Sequence, residues 1–262
     1  MKPFQPHLFP PKRLHQKSYS KLLKRANRAL DRYNAEVLQS PNFKLFSSQL
    51  INLESIASVE SQKATKKSKL ALVEDYRKAL VWACKEIKKR PLSKEMICKI
   101  HKMAKNSSPH KKELGHFRSR QNWIGPNGGK IEEAYFYPPE ANQVDKLMEE
   151  LLHSLKKKEK EPLVQLALFF DQLLIIHPFM DGNGRVARIL IPLFLYQRKA
   201  IPAPFFFMSR YLLKHRLQYF QNLYTTQDTN RWEPWIAFFL RGVISEARYS
   251  LRLFKEFEPL KK

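Results

Sequence analysis

The stretch His177-Pro178-Phe179-Met180-Asp181-Gly182-Asn183-Gly184-Arg185-Val186-Ala187-Arg188 brings together an imidazole, a carboxylate, an amide between two glycines and two guanidinium groups. Each type has a task in phosphate chemistry. His177 titrates near neutrality and can take a proton from an incoming hydroxyl. Pro178 disfavours helical geometry at His177, while Gly182 and Gly184 permit tight bends, so the segment reads as a loop that ends one helix and starts another. The N–H groups at the start of the second helix have no partner within it and attract an anion. Arg185 and Arg188, three residues apart, fall on neighbouring positions of its first turns and are expected to face that anion, with guanidinium forks suited to phosphate oxygens. Asp181 would repel a phosphate, and makes sense there if a Mg²⁺ ion lies between them. Taken singly, these residues also suit a structural His, a turn and a solvated helix start; a turn does not need them all together.

The elements that hold this loop are read from apolar periodicity. A helix is expected over Pro162–Ile176, which is apolar from Leu163 onward, and another from near Gly184 to about Gln197. Upstream, helical patterns run over about 18 to 38, 45 to 59, 70 to 89 and 93 to 105, the last behind Pro91 with Ser93 as N-cap. A Lys-rich joint occupies 63 to 69, and residues 1 to 16, with Pro3, Pro6, Pro10 and Pro11, read as an extended arm. Between Asn122-Trp123-Ile124 and Ala134-Tyr135-Phe136-Tyr137 lies the turn cluster Gly125-Pro126-Asn127-Gly128-Gly129, which predicts a β-hairpin. Helical periodicity resumes over about 141 to 156, and later over 209 to 225 and 232 to 257. The expectation is a mainly α protein with one hairpin beside the loop.

Composition narrows the classes. The chain has 262 residues, 43% hydrophobic, enough for one sizeable core, and only 7 Gly, which excludes collagen-like architecture. With 48 Lys and Arg against 24 Asp and Glu the net charge is +24, an excess that favours phosphate-bearing or acidic partners. No nucleic-acid recognition motif accompanies it, so a solvated basic surface is preferred to a nucleic-acid interface. Cys84 and Cys98 suit neither a disulfide framework nor a zinc site. The longest apolar stretch, residues 163 to 176, falls short of the roughly 20 residues a bilayer requires. These features place the chain in a cytoplasm, its own or a host's.

Residues 177 to 188 match the signature HPFxDGNGRxxR at every defined position, and in this the chain resembles the Fic family. Leu114-Gly115-His116-Phe117-Arg118 through Asn122-Trp123-Ile124-Gly125 is similar to the stretch entering that family's target-docking flap, and Ala134-Tyr135-Phe136-Tyr137-Pro138-Pro139 to its return. Ser209-Arg210-Tyr211-Leu212 and residues 231 to 240 resemble its C-terminal helices. The resemblance implies a Fic-type helical bundle. Its parts would be an N-terminal arm and helical region over 1–110, a catalytic core with flap and loop over 111–200, and packing helices over 201–262. It implies transfer of AMP from ATP to a Ser, Thr or Tyr hydroxyl of a protein target. His177 would deprotonate the target, Asp181 would hold Mg²⁺ against the phosphates, Gly182, Asn183 and Gly184 would form the anion nest, Arg185 would orient the phosphates and Arg188 would grip the γ-phosphate. Ile124, Gly125, Tyr135 and Phe136 would dock an extended target segment by strand addition.

Many members of the family carry an inhibitory helix, S/T-x-x-x-E-G/N, whose Glu pairs with the second signature Arg. Glu60, within about 45 to 62, occupies the corresponding region, although Ile56 stands where Ser or Thr is expected and Ser61 where Gly or Asn is. Glu60 is therefore expected to reach Arg188 as a brake, and also to position a water for removing AMP. The alternatives are another Fic-type transfer (phosphocholine, UMP or phosphate) and a non-enzymatic basic binding module.

Overall fold

The computed structural model describes residues 3–5, 10–11, 14–60, 65–109, 111–125, 130–156 and 161–257, and only the backbone of Ile131. Pro126, Asn127, Gly128 and Gly129, the expected hairpin turn, lie outside the described residues. The described chain is built from helices α1 (Ser20–Tyr33), α2 (Phe43–Glu60), α3 (Lys66–Glu86), α4 (Lys94–Ala104), α5 (Val144–Ser154), α6 (Pro162–Ile176), α7 (Asn183–Gln197), α8 (Ser209–Lys214), α9 (Arg216–Thr229) and α10 (Glu233–Phe257).

Helix α6 is buried at every position from Leu163 to Ile176, its apolar residues on all sides and Gln165, Asp171 and Gln172 buried among them. Pro162 opens it, where a missing N–H costs nothing. Helix α7 packs beside it, and the pair forms the axis of the fold. α3 and α4 cover α7; α5 and α10 cover α6. α2 lies on α3 and α8, and α1 lies along α10, burying Leu23, Ala26, Leu30 and Tyr33 at helical spacing. Trp235 of α10 ties the two layers by donating its indole N–H to the Ala167 carbonyl at 2.7 Å. The caps follow the sequence: Ser93 accepts from the Met96 N–H at the start of α4, and Thr65 from the Ser68 N–H at the start of α3.

Three expectations need correction. The hairpin contracts to one antiparallel bridge, Ile124 to Phe136, with no strand among the described residues. Residues Ile131–Glu133 coil into a helical turn, and the Glu133 carboxylate accepts from the Lys130 N–H, so backbone that a hairpin would extend is folded back. The helix expected over 209 to 225 breaks at His215, whose ψ of 33° leaves the helical range, giving α8 and α9. Helix α1 gives way after Tyr33 to a π-turn, Asn34–Leu38. No helix among the described residues is long and apolar enough to cross a membrane.

Candidate functional site

The loop between α6 and α7 takes its shape from two left-handed residues, His177 (φ 50°) ending α6 and Gly182 (φ +87°) beginning α7. Pro178 keeps His177 out of the helix, but the residue turns left-handed rather than extended, and its N–H still reaches the Leu173 carbonyl at 3.1 Å. The centre of the loop is pinned by amides. Asn183 accepts from the Phe179 N–H and donates to the Phe179 carbonyl, both at 2.8 Å, and Asn122 donates to the same carbonyl at 3.0 Å. The Phe179 ring, fully buried, stacks on His101 at 3.9 Å. Phe179 is thus the anchor of the loop.

The half-buried His177 has a defined tautomer. Its Nδ1 lies 3.2 Å from the Leu174 carbonyl, which can only accept, so Nδ1 carries the proton and Nε2 keeps its lone pair. Burial lowers its pKa to about 4, helped by the nearby Arg118 cation, so the ring is neutral at pH 7. A neutral imidazole with an open Nε2 can take a proton at once.

Helix α7 starts without a side-chain cap, and its first bond within the helix is Val186 N–H to the Gly182 carbonyl. The N–H groups of Asn183, Gly184 and Arg185 precede it, and this is where an anion is favoured. A Cβ on Gly184 would stand 3.0 Å from an Arg188 nitrogen, so the absent side chain lets that guanidinium lie across the helix start.

The two arginines do not share one direction. Arg188 reaches α2, donating to the Ser58 carbonyl at 2.9 Å and to its hydroxyl at 2.9 and 3.3 Å. Arg185 is only 3% exposed and donates to the Ala104 carbonyl at the end of α4 at 3.0 Å. Arg185 thus spans from the C-terminus of α4, where carbonyls lack helical partners, to the loop, with Nη2 3.7 Å from Asp181 Oδ2. Asn183 contributes backbone to the nest, while its side chain locks the loop. Glu60 ends α2 exposed and in no ion pair among the described residues, and Ser58 stands at Arg188 in its place.

Asp181 is engaged on both oxygens. Oδ1 accepts from the Gly182 N–H at 2.6 Å, while Oδ2 meets the Lys105 ammonium and lies 3.7 Å from Arg185. Crowding by the protein works to raise its pKa, but Lys105 and Arg185 outweigh this and hold it below the ordinary value. A divalent ion would have to displace Lys105 from one oxygen and compete with Gly182 for the other. Among the described residues no cluster of three His, Cys, Asp or Glu stands ready to complete a coordination shell. The residues present do not fit a resident metal.

Four residues that periodicity and motif did not single out build this geometry. His101 accepts from the Gly115 N–H on Nδ1 and therefore donates from Nε2 to the Asp181 carbonyl, at 2.9 Å; burial lowers its pKa to about 4. Arg118, buried, donates to the carbonyls of His177 at 2.9 Å, Ile176 at 3.3 Å and Pro139, joining the flap return to the end of α6. Ser58 and Lys105 complete the set. A signal existed for His101, which sits among Ile97, Ile100 and Ala104 on the apolar face of α4; none distinguished Lys105 among 48 basic residues. Asp181 and Lys105 face a cavity of about 300 Å³. Hollows of about 570 and 710 Å³ elsewhere include no residue of the loop, so charge rather than volume locates the site.

A neutral imidazole thus stands beside an uncapped, cation-flanked helix start, an arrangement that favours an anion. Residues 91–195 match the model of the Fic/DOC family. A protein adenylyltransferase Fic of Nematostella vectensis is 30% identical over 118 residues, 44% of this chain and 25% of that one. A probable protein adenylyltransferase of Aquifex aeolicus is 32% identical over 80 residues, 30% of this chain and 25% of the relative. The match thus spans a quarter of each of these relatives. A Fic family protein from Desulfovibrio desulfuricans superposes with a TM-score of 0.70 at 18% identity, covering 97% of this chain and 77% of that one. Residues 91–195 thus carry a Fic/DOC domain, and the fold around them is that of the Desulfovibrio protein.

Proposed function

We propose that the chain is a protein adenylyltransferase, moving AMP from ATP to a Ser, Thr or Tyr hydroxyl of a protein and releasing pyrophosphate. The reading rests on His177, whose Nδ1–H is held by the Leu174 carbonyl and whose Nε2 is left to act as base at the start of α7. The names of the relatives support AMP as the transferred group. Nε2 takes the hydroxyl proton, the oxygen forms a bond to the α-phosphorus, and the bond from that phosphorus to the bridging oxygen of pyrophosphate breaks. The N–H groups of Asn183, Gly184 and Arg185 would hold the phosphates, and Arg188 would grip the γ-phosphate after leaving Ser58. That contact makes α2 a brake on the site, released when Arg188 turns to the nucleotide.

The target would lie along the flap at Ile124, Gly125, Tyr135 and Phe136. Phe136 pairs with Ile124, so the polar groups of Tyr137 point to the outer edge. There the Tyr137 carbonyl accepts from the Phe4 N–H at 2.9 Å, so a target adding a strand at this edge would take the place of that contact. The test is incubation with α-labelled ATP and cell lysate, comparing wild type with His177→Ala. Label that survives denaturation and needs His177 supports the reading. Label indifferent to His177 overturns it, and label obtained only from another nucleotide or from the γ-phosphate reassigns the transferred group.

A further inference from the structure

Lys105 follows the last residue of α4, and its side chain is only 10% exposed. It is not a lysine resting on the surface. Its stem crosses the left-handed Gly182: a Cβ there would stand 2.8 Å from Lys105 Cδ and 3.4 Å from the His101 ring. The glycine that begins α7 thus makes room for this stem, which delivers the ammonium to Asp181 Oδ2. Asp181 is itself 70% exposed, and the pair borders the 300 Å³ cavity together with His101, Ser108, Glu113 and Arg120. Glu113 is already paired with Arg120.

An ammonium has three N–H donors, and a carboxylate oxygen uses one. The other two remain for oxygens arriving from the cavity side, where Asp181 stands two residues before the first residue of α7. The charges agree. Around the cavity Lys105 and Arg120 stand with Asp181 and Glu113, and Arg185 lies 3.7 Å from Asp181, so cations outnumber carboxylates before any ligand enters, a poor setting for a free divalent ion and a good one for a polyphosphate.

We propose that Lys105 is a phosphate-binding residue of this site, the chain's own cation at Asp181, and that through it ATP binds without a divalent metal. The inference rests on the adenylyltransferase reading, since it supplies the triphosphate. Asp181 then acts as a positioning residue that orients the ammonium.

The experiment is equilibrium binding of ATP to the full chain in EDTA and in Mg²⁺, for wild type, Lys105→Met and Lys105→Arg, with thermal melts to show that the variants fold. Wild type should bind ATP in EDTA. Lys105→Met, which keeps the stem's volume against Gly182, should weaken that binding about 10-fold or more, the loss of one charge-assisted contact. Lys105→Arg should hold it within about 3-fold, since the charge and donors remain. Wild type that binds ATP only when Mg²⁺ is added overturns the inference and leaves the adenylyltransferase reading standing, as does a folded Lys105→Met that binds like wild type in EDTA. Binding in neither medium overturns both.

Discussion

The contact between Arg188 and Ser58 gives a quantitative test of how α2 restrains the site. Three contacts hold the guanidinium, two to the Ser58 hydroxyl and one to its carbonyl. Ser58 is 2% exposed, so little water competes for that hydroxyl. Two N–H groups sharing one oxygen count as roughly one charge-assisted bond, about 1.5–3 kcal/mol, part of which water returns when the guanidinium leaves. Ser58→Ala removes the hydroxyl and keeps the carbonyl. About 1–2 kcal/mol of resting-state restraint is lost, so ATP should bind about 5- to 30-fold more tightly, and self-labelling with α-labelled ATP should rise with it. Calorimetric titration reads the first and gel autoradiography the second. Glu60→Gly is the comparison, because that carboxylate is exposed and makes no contact with Arg188; ATP affinity should stay within about 2-fold. An unchanged or weaker affinity in folded Ser58→Ala would refute the latch, and a gain confined to Glu60→Gly would return the brake to Glu60.

Further outcomes follow from the same geometry. Transfer should keep its acid limb near pH 4 rather than near 6.5, because His177 is neutral down to about 4, and a pH–rate profile locates it. His177→Ala should lower transfer at least ~100-fold while leaving ATP binding nearly intact. Stability should fall as pH drops from 6.5 to 4: the unfolded chain protonates His101 near 6.5, the folded one only near 4, so in that window the unfolded state holds more protons. The His101 contribution is fully present above the window and amounts to up to about 3 kcal/mol, read from urea midpoints against pH. Gly182→Ala meets both a positive φ and the Lys105 stem, so a loss of about 1–3 kcal/mol is expected, seen as a melting point lower by several degrees.

The helices were legible where one residue type repeated on one face. Leu163 to Ile176 reads as a buried helix, and Ser93 acts as a cap because a short side-chain oxygen satisfies an N–H that the helix cannot, whereas Thr65 caps α3 inside the stretch read as a joint. The loop was legible because its parts are adjacent in the chain. What its side chains touch was not, since their partners stand far away in sequence. Arg185 turns inward to Ala104, 81 residues earlier, because a buried carbonyl at a helix end needs a donor. The Glu60 expectation came from the family pattern and took no account of helical phase. Phe46, Leu50, Glu54 and Ser58, spaced by four, form the buried stripe of α2, and at about 100° per residue Glu60 lies some 200° from Ser58. That stripe was present in the sequence, where the family pattern pointed to the nearer glutamate instead.

The three arginines around the loop share one kind of partner. Arg118 serves the C-terminus of α6 through Ile176 and His177, Arg185 that of α4 through Ala104, and Arg188 that of α2 through Ser58. Each cation therefore sits at the negative end of a helix dipole, and Arg185 also lies 3.7 Å from the Asp181 carboxylate. The exposures separate their tasks: Arg118 and Arg185 are buried and fix the frame, whereas Arg188 is half-buried and able to move. A neutral carbonyl and hydroxyl hold a guanidinium less firmly than a carboxylate would, so a phosphate can take Arg188 from Ser58 at modest cost. The same contrast sets Lys105 apart, because its partner Asp181 is charged and the pair is expected to stay together when phosphate arrives. The chain thus combines one cation held by neutral partners with one held by its own carboxylate.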